Sequence, residues 1–347
     1  MAIKIPIQLP YGAVYFRKSN PPREDWERDY AQASRDGYNI FRHWFMWGTI
    51  ETSPGVYDWE DYDRQMELGE KYNIKAIIAE VTTCVPEWVF TQFPETLCEN
   101  TQGEKAKSEM SVSCAVGGFY EGICLDTPVG RELTGNFLKA LAKRYKGHPS
   151  LLGYDIWNEC NYSHDHCYCK DTRNKFRIWL QNKYKTLDAL KNAWHRYSLL
   201  SWNDVKPPPK LALYTECNDW LLFRKENAYD QMKWKVNILR QVDSDCLITA
   251  HGTAQSLENM AMGGSDEWMA AENVEVYGLT FVQSRKGNEG YKHWSALDLT
   301  RSGARGKRFW HSESQGGPLW YQPQVTGRPR EDGRITEPED IRQWNMT

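Results

Sequence analysis

The sequence has no long apolar segment and no strong excess of charge of either sign. No run of about 18 apolar residues occurs, so no transmembrane helix is expected. The 347 residues include 43 Lys and Arg against 46 Asp and Glu, which gives a formal net charge of −3. Without a basic stripe, neither nucleic acid nor a membrane surface is expected as a partner. The expected partner is therefore small or neutral.

Signals for export, for a disulfide framework and for nucleotide binding are also lacking. Residues 1–16 have no apolar region followed by a small-residue cleavage site. The nine cysteines are odd in number and are not spaced like a secreted framework. No Gly-rich phosphate loop follows the first strand, where Gly12 stands alone. We therefore predict a cytoplasmic protein with reduced thiols and without nucleotide chemistry.

Aromatic residues are abundant. The chain has 16 Trp and 19 Tyr, and many lie beside carboxylates, amides or Arg. Clefts that bind sugars use this mixture, because an aromatic face covers the C–H face of a pyranose while polar groups bind its hydroxyls. The alternative is a protein that packs its core with Trp. Composition alone leaves both interpretations open.

Short apolar strands alternate with amphipathic helices along the chain, a pattern typical of a parallel α/β sheet. Long connections favour a TIM-type (β/α)8 barrel over an open sheet. We predict one barrel domain over residues 1–347, with an inserted helical, cysteine-containing region at about 160–215. The sequence accounts for about seven barrel strands. A closed eight-stranded barrel would need one more, after a helix predicted at 338–344. The predicted strands are 10–16, 39–45, 75–81, 151–157, 247–250, 274–281 and 308–312.

Two of these strands end in a glutamate. The fourth strand leads into Asn158-Glu159, and the seventh leads into Glu313 and a Gly-Gly pair. Barrel strands present their C-terminal ends to the active-site mouth, and strands four and seven face each other across it. Cleavage of a glycosidic bond with retention needs one carboxylic acid and one carboxylate about 5–5.5 Å apart. We predict Glu159 as the acid/base, Glu313 as the nucleophile and Asn158 as a partner of the sugar 2-hydroxyl.

Other residues near the strand ends have two interpretations each. Arg42 could contact a sugar hydroxyl or form an ion pair at the barrel mouth. His251, at the end of the fifth strand, and His311, two residues before Glu313, could orient groups of the site or serve the packing, and His311 is also a candidate to contact the sugar. Glu51 and Glu80 are further acids near strand ends, but neither has a partner on the opposing strand.

Several stretches resemble glycoside hydrolase family 42, the β-galactosidases. They include Pro54-Gly-Val-Tyr-Asp-Trp59, Thr82-Thr-Cys-Val-Pro-Glu-Trp88 and Glu313-Ser-Gln-Gly-Gly-Pro318. The likeness spans roughly residues 10 to 345. It implies a retaining hydrolase of a terminal β-galactoside, with Trp320 in the floor of the sugar site. It also implies a homo-oligomer, since the family commonly forms trimers. A dimer that pairs the open edges of two barrels is the alternative.

Two stretches depart from the family pattern where the sugar would bind. The segment 118–124 lacks an Arg before Cys124, and 278–283 lacks a Tyr. Both departures weaken the prediction of galactose as the sugar more than the prediction of the reaction type. The alternatives are the same fold acting on a β-glucoside, β-mannoside or α-arabinoside, and a truncated or inactive barrel that only binds carbohydrate.

Cysteines and histidines crowd the loop after the fourth strand, and such a set can bind zinc. The resemblance implies a four-cysteine structural site, of which Cys124, Cys167 and Cys169 match three positions. Thr172 stands at the fourth position, which leaves Cys160 or a nearby His as a substitute ligand, or thiols without metal. No cofactor is required by the predicted reaction, because two carboxyl groups suffice.

Overall fold

A computed structural model describes residues 9–18, 20–107, 122–160, 167–208, 213–252, 264–281 and 290–314. Its centre is a sheet of seven parallel strands in sequence order, so each barrel strand lies beside the next one. This order makes a nearly closed TIM-type barrel and confirms the predicted fold class. The strands are β1 (Gly12–Val14), β2 (Ile40–Met46), β5 (Lys75–Val81), β6 (Leu151–Asp155), β7 (Leu247–Gly252), β8 (Val276–Phe281) and β9 (Arg308–Ser314).

Helices connect the strands. Within the described residues, no helix is both long enough and apolar enough to cross a membrane. The helix predicted at 338–344 lies outside the described residues. The α-helices are α1 (Trp26–Arg35), α2 (Trp47–Ile50), α3 (Glu60–Tyr72), α4 (Glu87–Gln92), α5 (Pro128–Tyr145), α6 (Lys170–Tyr184), α7 (Leu187–Trp194), α8 (Tyr214–Val242), α9 (Glu267–Glu272) and α10 (Gly290–Gly303), with short 3₁₀ turns at Arg23–Asp25, Pro94–Thr96 and Trp202–Asp204.

A small hairpin after the second barrel strand was not predicted. It pairs β3 (Glu51–Ser53) with β4 (Val56–Tyr57) in antiparallel orientation. The turn between them is Pro54-Gly55, and Gly55 has a φ of 75°. Proline followed by a residue with positive φ is the usual composition of a type II turn. The Pro-Gly pair was visible in the sequence, but the strands are too short to show an alternating pattern.

The barrel interior is filled by a layer of apolar side chains from successive strands. Because side chains alternate along a strand, the residues next to this layer face the surrounding helices. The polar residues nearer the strand ends therefore lie above an apolar floor. The layer consists of Ile40, Ile77, Leu152, Leu247, Val276 and Trp310.

The inserted region forms a small core of its own. Its helices α6 and α7 pack against the first half of α8, with Phe176 and Leu180 fully buried. Asp219 lies inside this core and accepts hydrogen bonds from Tyr184 Oη and Trp194 Nε1, each at 2.7 Å. A buried carboxylate with such donors is satisfied, so it fixes the packing of these helices.

Candidate active site

Glu159 lies in a turn just beyond the end of β6, where its backbone has a φ of 53°. This left-handed conformation is uncommon for a residue other than glycine and costs about 1–3 kcal/mol. Two hydrogen bonds to His251 hold the turn. The Glu159 N–H donates to His251 Nε2 at 3.2 Å, and the Cys160 N–H donates to the His251 carbonyl at 2.7 Å. The neighbouring strand β7 therefore fixes where the Glu159 side chain begins.

Arg42, from β2, joins the two predicted halves of the site. Its Nε donates to Asp155 Oδ2 at 2.6 Å, and its two terminal nitrogens donate to Asn158 Oδ1 at 2.7 Å and Glu313 Oε2 at 3.2 Å. The Arg42 side chain is only 8% exposed. A buried guanidinium that bridges three side chains is rigid, because its planar donors fix their directions. Of the two interpretations of Arg42, the ion pair at the barrel mouth is present, and contact with a sugar stays a prediction.

A bulge in β9 precedes Glu313. His311 pairs with Leu279 of β8, but the next residue of β8, Thr280, pairs with Glu313. Ser312 is thus the extra residue of the bulge. A bulge of this kind redirects the side chains that follow it. As a result Glu313 points to Arg42, and its side chain remains 29% exposed.

The proton affinity of Glu159 is raised. Burial, followed by the negative charge of Glu313, raises the pKa of Glu159 from 4.5 to about 6, although Arg42 and His251 act in the opposite direction. A carboxyl with such a pKa still carries its proton in mildly acidic solution, as a general acid must. The geometry agrees with this effect, because Arg42 binds both Glu313 and Asn158, the residue next to Glu159.

Asp155, which was not among the predicted site residues, and His251, which was a candidate to orient groups of the site, complete the arrangement. His251 Nδ1 lies 3.0 Å from Asp155 Oδ2, and both side chains are buried. Because His251 Nε2 accepts from Glu159, the ring proton is assigned to Nδ1, which faces Asp155. Burial raises the pKa of Asp155, but Arg42 and His251 outweigh it and hold this pKa below its ordinary value. An ionised Asp155 therefore orients both Arg42 and His251.

Asn158 has one donor available. Its Oδ1 is held by Arg42, which fixes the orientation of the amide. Its Nδ2 is buried and has no hydrogen-bond partner within the described part of the chain. A buried donor of this kind is costly unless a ligand or water accepts from it. The geometry is consistent with the predicted contact to a sugar hydroxyl.

The remaining predicted residues either have other neighbours than the Arg42 group or lie outside the described residues. Trp320 lies outside the described residues. The His311 ring is 5.2 Å from the ring of His293 in α10, so it has a neighbour in the helix layer, and its contact with sugar stays a prediction. The two further acids have structural partners: Glu51 accepts from Trp47 Nε1 at 2.5 Å, and Glu80 pairs with Lys235 at 2.7 Å.

Four cysteines gather beside the loop that follows β6. The Sγ atoms of Cys98, Cys124 and Cys167 lie within 4.8 Å of one another, and Cys169 Sγ is 3.6 Å from that of Cys124. Three of the four were predicted from the resemblance, and Cys98 was missed. Cys98 belongs to no short cysteine motif, so only the fold brings it to the others.

Thr172 and Cys160 do not complete this group. Thr172 Oγ1 lies 3.4 Å from both Cys124 Sγ and Cys169 Sγ, and it donates to Asp126 at 2.8 Å. The Cys160 Sγ instead contacts the carbonyl of Trp157 at 3.7 Å. The suggestion that Cys160 replaces the fourth cysteine is therefore not supported by the packing, and Cys98 takes that place.

Fold and site together define a class: a TIM-type barrel with two interacting glutamates, one of raised pKa, at its rim. The family of glycoside hydrolases described as Beta-galactosidase, family 42, matches residues 15–338. The chain therefore belongs to this family.

Individual relatives agree with this assignment. The Beta-galactosidase Bga of Halorubrum lacusprofundi is 25% identical over 337 residues, which cover 90% of this chain and 46% of that protein. The Beta-galactosidase bgaB of Geobacillus kaustophilus is 26% identical, over 86% of this chain and 43% of that protein. This chain thus spans less than half the length of these curated relatives.

Solved structures share the fold. A β-galactosidase from the haloarchaeon Halorubrum lacusprofundi superposes with a TM-score of 0.78 at 21% identity, over 96% of this chain and 50% of that chain. The cold-adapted β-galactosidase from Rahnella sp. R3 gives 0.77 at 22% identity, over 97% and 48%. At such identity the likeness concerns the fold.

Proposed function

We propose that this chain is the catalytic barrel of a retaining glycoside hydrolase that removes a terminal β-linked sugar, with a β-galactoside as substrate. The observation that carries the proposal is that Arg42 binds both Glu313 and Asn158, the residue next to Glu159, and that burial and the charge of Glu313 raise the pKa of Glu159. Family membership and the names of the relatives support galactose as the sugar.

The proposed reaction is a double displacement. The Glu313 carboxylate attacks the anomeric carbon while Glu159 gives its proton to the departing oxygen, which leaves a glycosyl ester on Glu313. Glu159, now ionised, removes a proton from water, and the resulting attack on the anomeric carbon frees Glu313. Arg42 holds Glu313 in place, and Asn158 Nδ2 is the proposed donor to the 2-hydroxyl.

The substrate is tested with a panel of nitrophenyl glycosides. We expect the β-galactoside to give the highest kcat/KM and the released sugar to keep the β configuration, as followed by proton NMR in the first minutes. A preference for the β-glucoside, β-mannoside or α-arabinoside would keep the mechanism and change the sugar. An α product would contradict double displacement. Sugar binding without turnover of any glycoside would favour an inactive, carbohydrate-binding barrel.

We also propose that the four thiols bind a structural zinc ion. Tetrahedral zinc with sulfur at about 2.3 Å separates its ligands by about 3.8 Å, close to the spacing of Cys124 and Cys169. Cys167 Sγ accepts backbone N–H groups of Glu99 and Cys169, each at 3.4 Å, which favours a thiolate. The donor set therefore fits zinc, which would tie the inserted region to the barrel loops and take no part in the reaction.

Metal analysis tests this proposal. We expect about one zinc per chain in protein purified without chelators, and a loss of most of it in Cys98→Ser. The matched control is Cys217→Ser in α8, which should keep its zinc, because Cys217 is not in the group. Zinc-free wild-type protein, or Cys98→Ser with undiminished zinc, would rule the site out. Oligomeric state and cytoplasmic location also stay predictions, for light scattering and cell fractionation.

A further inference from the structure

A buried carboxyl group outside the proposed mechanism lies beneath the Glu159 turn. Glu267, the first residue of α9, is 0% exposed. Two glycines make room for it. A Cβ on Gly252 would lie 2.7 Å from Glu267 Oε2, and a Cβ on Gly303 would lie 2.6 Å from Glu267 Cβ. The carboxyl is therefore pressed against the backbone at the end of β7, next to His251.

The surroundings of Glu267 offer almost nothing to a negative charge. Within the described residues, no Lys or Arg forms an ion pair with it, and neither carboxyl oxygen has a hydrogen bond of good geometry. The hydroxyl of Tyr277 approaches it over Gly252. The titratable groups that face it are Tyr277 from β8, His251 from β7, Cys160 beyond β6, Tyr229 from α8 and its neighbour Asp266.

This environment favours the neutral acid. Burial raises the pKa of Glu267 from 4.5 to about 7, Asp266 acts in the same direction, and Tyr277 and His251 oppose it. Loss of the proton would leave a buried carboxylate without a hydrogen bond of good geometry from the described residues, which is unfavourable. The chain around it would then have to move or admit water.

Hydrogen bonds join this part of the chain to the turn that holds Glu159. His251 precedes Gly252 and accepts both hydrogen bonds of the Glu159 turn, one on its ring and one on its carbonyl. The Cys160 carbonyl is in turn held by Ser265 Oγ at 2.8 Å, two residues before Glu267. A displacement of Gly252 or of the start of α9 would therefore act on residues 159 and 160 through these hydrogen bonds.

We propose that Glu267 is a positioning residue whose neutral carboxyl group keeps the Glu159 turn in place, and that its ionisation loosens this turn. The catalytic consequence rests on the proposed function of Glu159, but the structural consequence does not. The site thus has a built-in sensitivity to alkaline pH that is separate from the titration of Glu159 itself.

Hydrogen exchange tests the proposal without any substrate. The peptide that contains residues 156–160 is followed by mass spectrometry at pH 6 and pH 8.5, with times scaled to the intrinsic exchange rates. In the wild type we expect protection to fall by about tenfold or more, because a group with a pKa near 7 is then largely ionised. In Glu267→Gln, which is neutral and of the same shape, protection should change by less than about twofold.

Two further variants keep the test decisive. Glu272→Gln removes an exposed acid from the same helix and should behave like the wild type. Tyr277→Phe removes the donor that favours the carboxylate, so the loss of protection should move to higher pH. Equal pH sensitivity in wild type and Glu267→Gln would overturn the proposal, as would an unchanged midpoint in Tyr277→Phe. Inactivity of the wild type on every glycoside would instead count against the proposed function alone.

Discussion

Replacing Glu313 with Gln is expected to abolish turnover, with kcat lower by about four orders of magnitude or more. The amide keeps the shape of the side chain but is a far weaker nucleophile, so no glycosyl ester forms. It also removes the negative charge that Arg42 faces at 3.2 Å. Substrate binding should be affected much less than kcat, since the reacting group is needed mainly in the transition state. The measurement is steady-state hydrolysis of nitrophenyl β-galactoside.

A covalent trap makes the assignment specific. A slow 2-deoxy-2-fluoro galactoside should add one sugar to the wild-type chain, and peptide mass spectrometry should place it on Glu313. Glu132→Gln, an exposed acid of α5, is the matched control and should be labelled like the wild type. A sugar on another residue, or a Glu313→Gln variant with more than about one hundredth of wild-type kcat, would refute the nucleophile assignment.

The same variant has an electrostatic consequence for its partner. The charge of Glu313 is the second cause, after burial, of the raised pKa of Glu159. Removing that charge should lower the pKa of Glu159, which can be followed by carbon NMR of the labelled carboxyl group. The direction is fixed by repulsion between like charges, so a rise would mean that the two groups do not interact.

Several barrel strands were predictable because they are nearly continuous apolar runs between polar turns. The strand Lys75–Val81 was predicted to the residue, since both of its faces are buried and it needs no alternation. The end of β9 was predicted two residues too early, at 312 instead of Ser314. The bulge at Ser312 interrupts the alternation there, and no local sequence pattern announces it.

The site was predictable only where a motif carried it. Asn158 and Glu159 stand together after a strand, and Glu313 stands before glycines, so both glutamates could be proposed from the sequence. Asp155 was missed because a single acid inside an apolar strand has no distinguishing neighbours, although Arg42 and His251 both depend on it. Cys98 was missed for a related reason, because its partners are distant in sequence and only the fold joins them.

The aromatic excess shows why composition alone was ambiguous. Sugar binding and core packing both use Trp. Much of the excess serves packing, because many Trp side chains are almost completely buried within the described residues. These are Trp26, Trp44, Trp47, Trp194 and Trp220.

Replacing Glu159 with Ala is expected to affect substrates according to their leaving groups. A poor leaving group needs the proton from Glu159, so kcat/KM for a disaccharide should fall by about 10³–10⁴-fold. A dinitrophenyl galactoside needs no such help and should still form the glycosyl ester on Glu313. The second step then lacks its base, so the ester should accumulate and give a burst of product.

Added azide should restore the second step, because a small anion needs no base, and it should yield a β-galactosyl azide. A failure of azide to restore turnover, together with an equal loss on all leaving groups, would exclude Glu159 as acid/base. Glu159→Gln is a useful companion variant, since it also lacks the acid but fills the space. Without azide, both variants should show the same dependence on the leaving group if proton transfer, and not the packing of the turn, is what is lost.

The pH dependence of kcat/KM is a further test of Glu159 as the acid. Glu159 must be protonated for the first step, and its pKa is raised to about 6 by burial and by Glu313. Wild-type kcat/KM should therefore fall about tenfold per pH unit above pH 6. With a dinitrophenyl substrate, Glu159→Ala should lose this decline, because the first step then needs no proton from residue 159. Above pH 7, where Glu267 ionises, kcat/KM of the wild type should fall more steeply than that of Glu267→Gln. Two separate alkaline transitions, each removed by its own substitution, would distinguish proton donation by Glu159 from the positioning of its turn by Glu267.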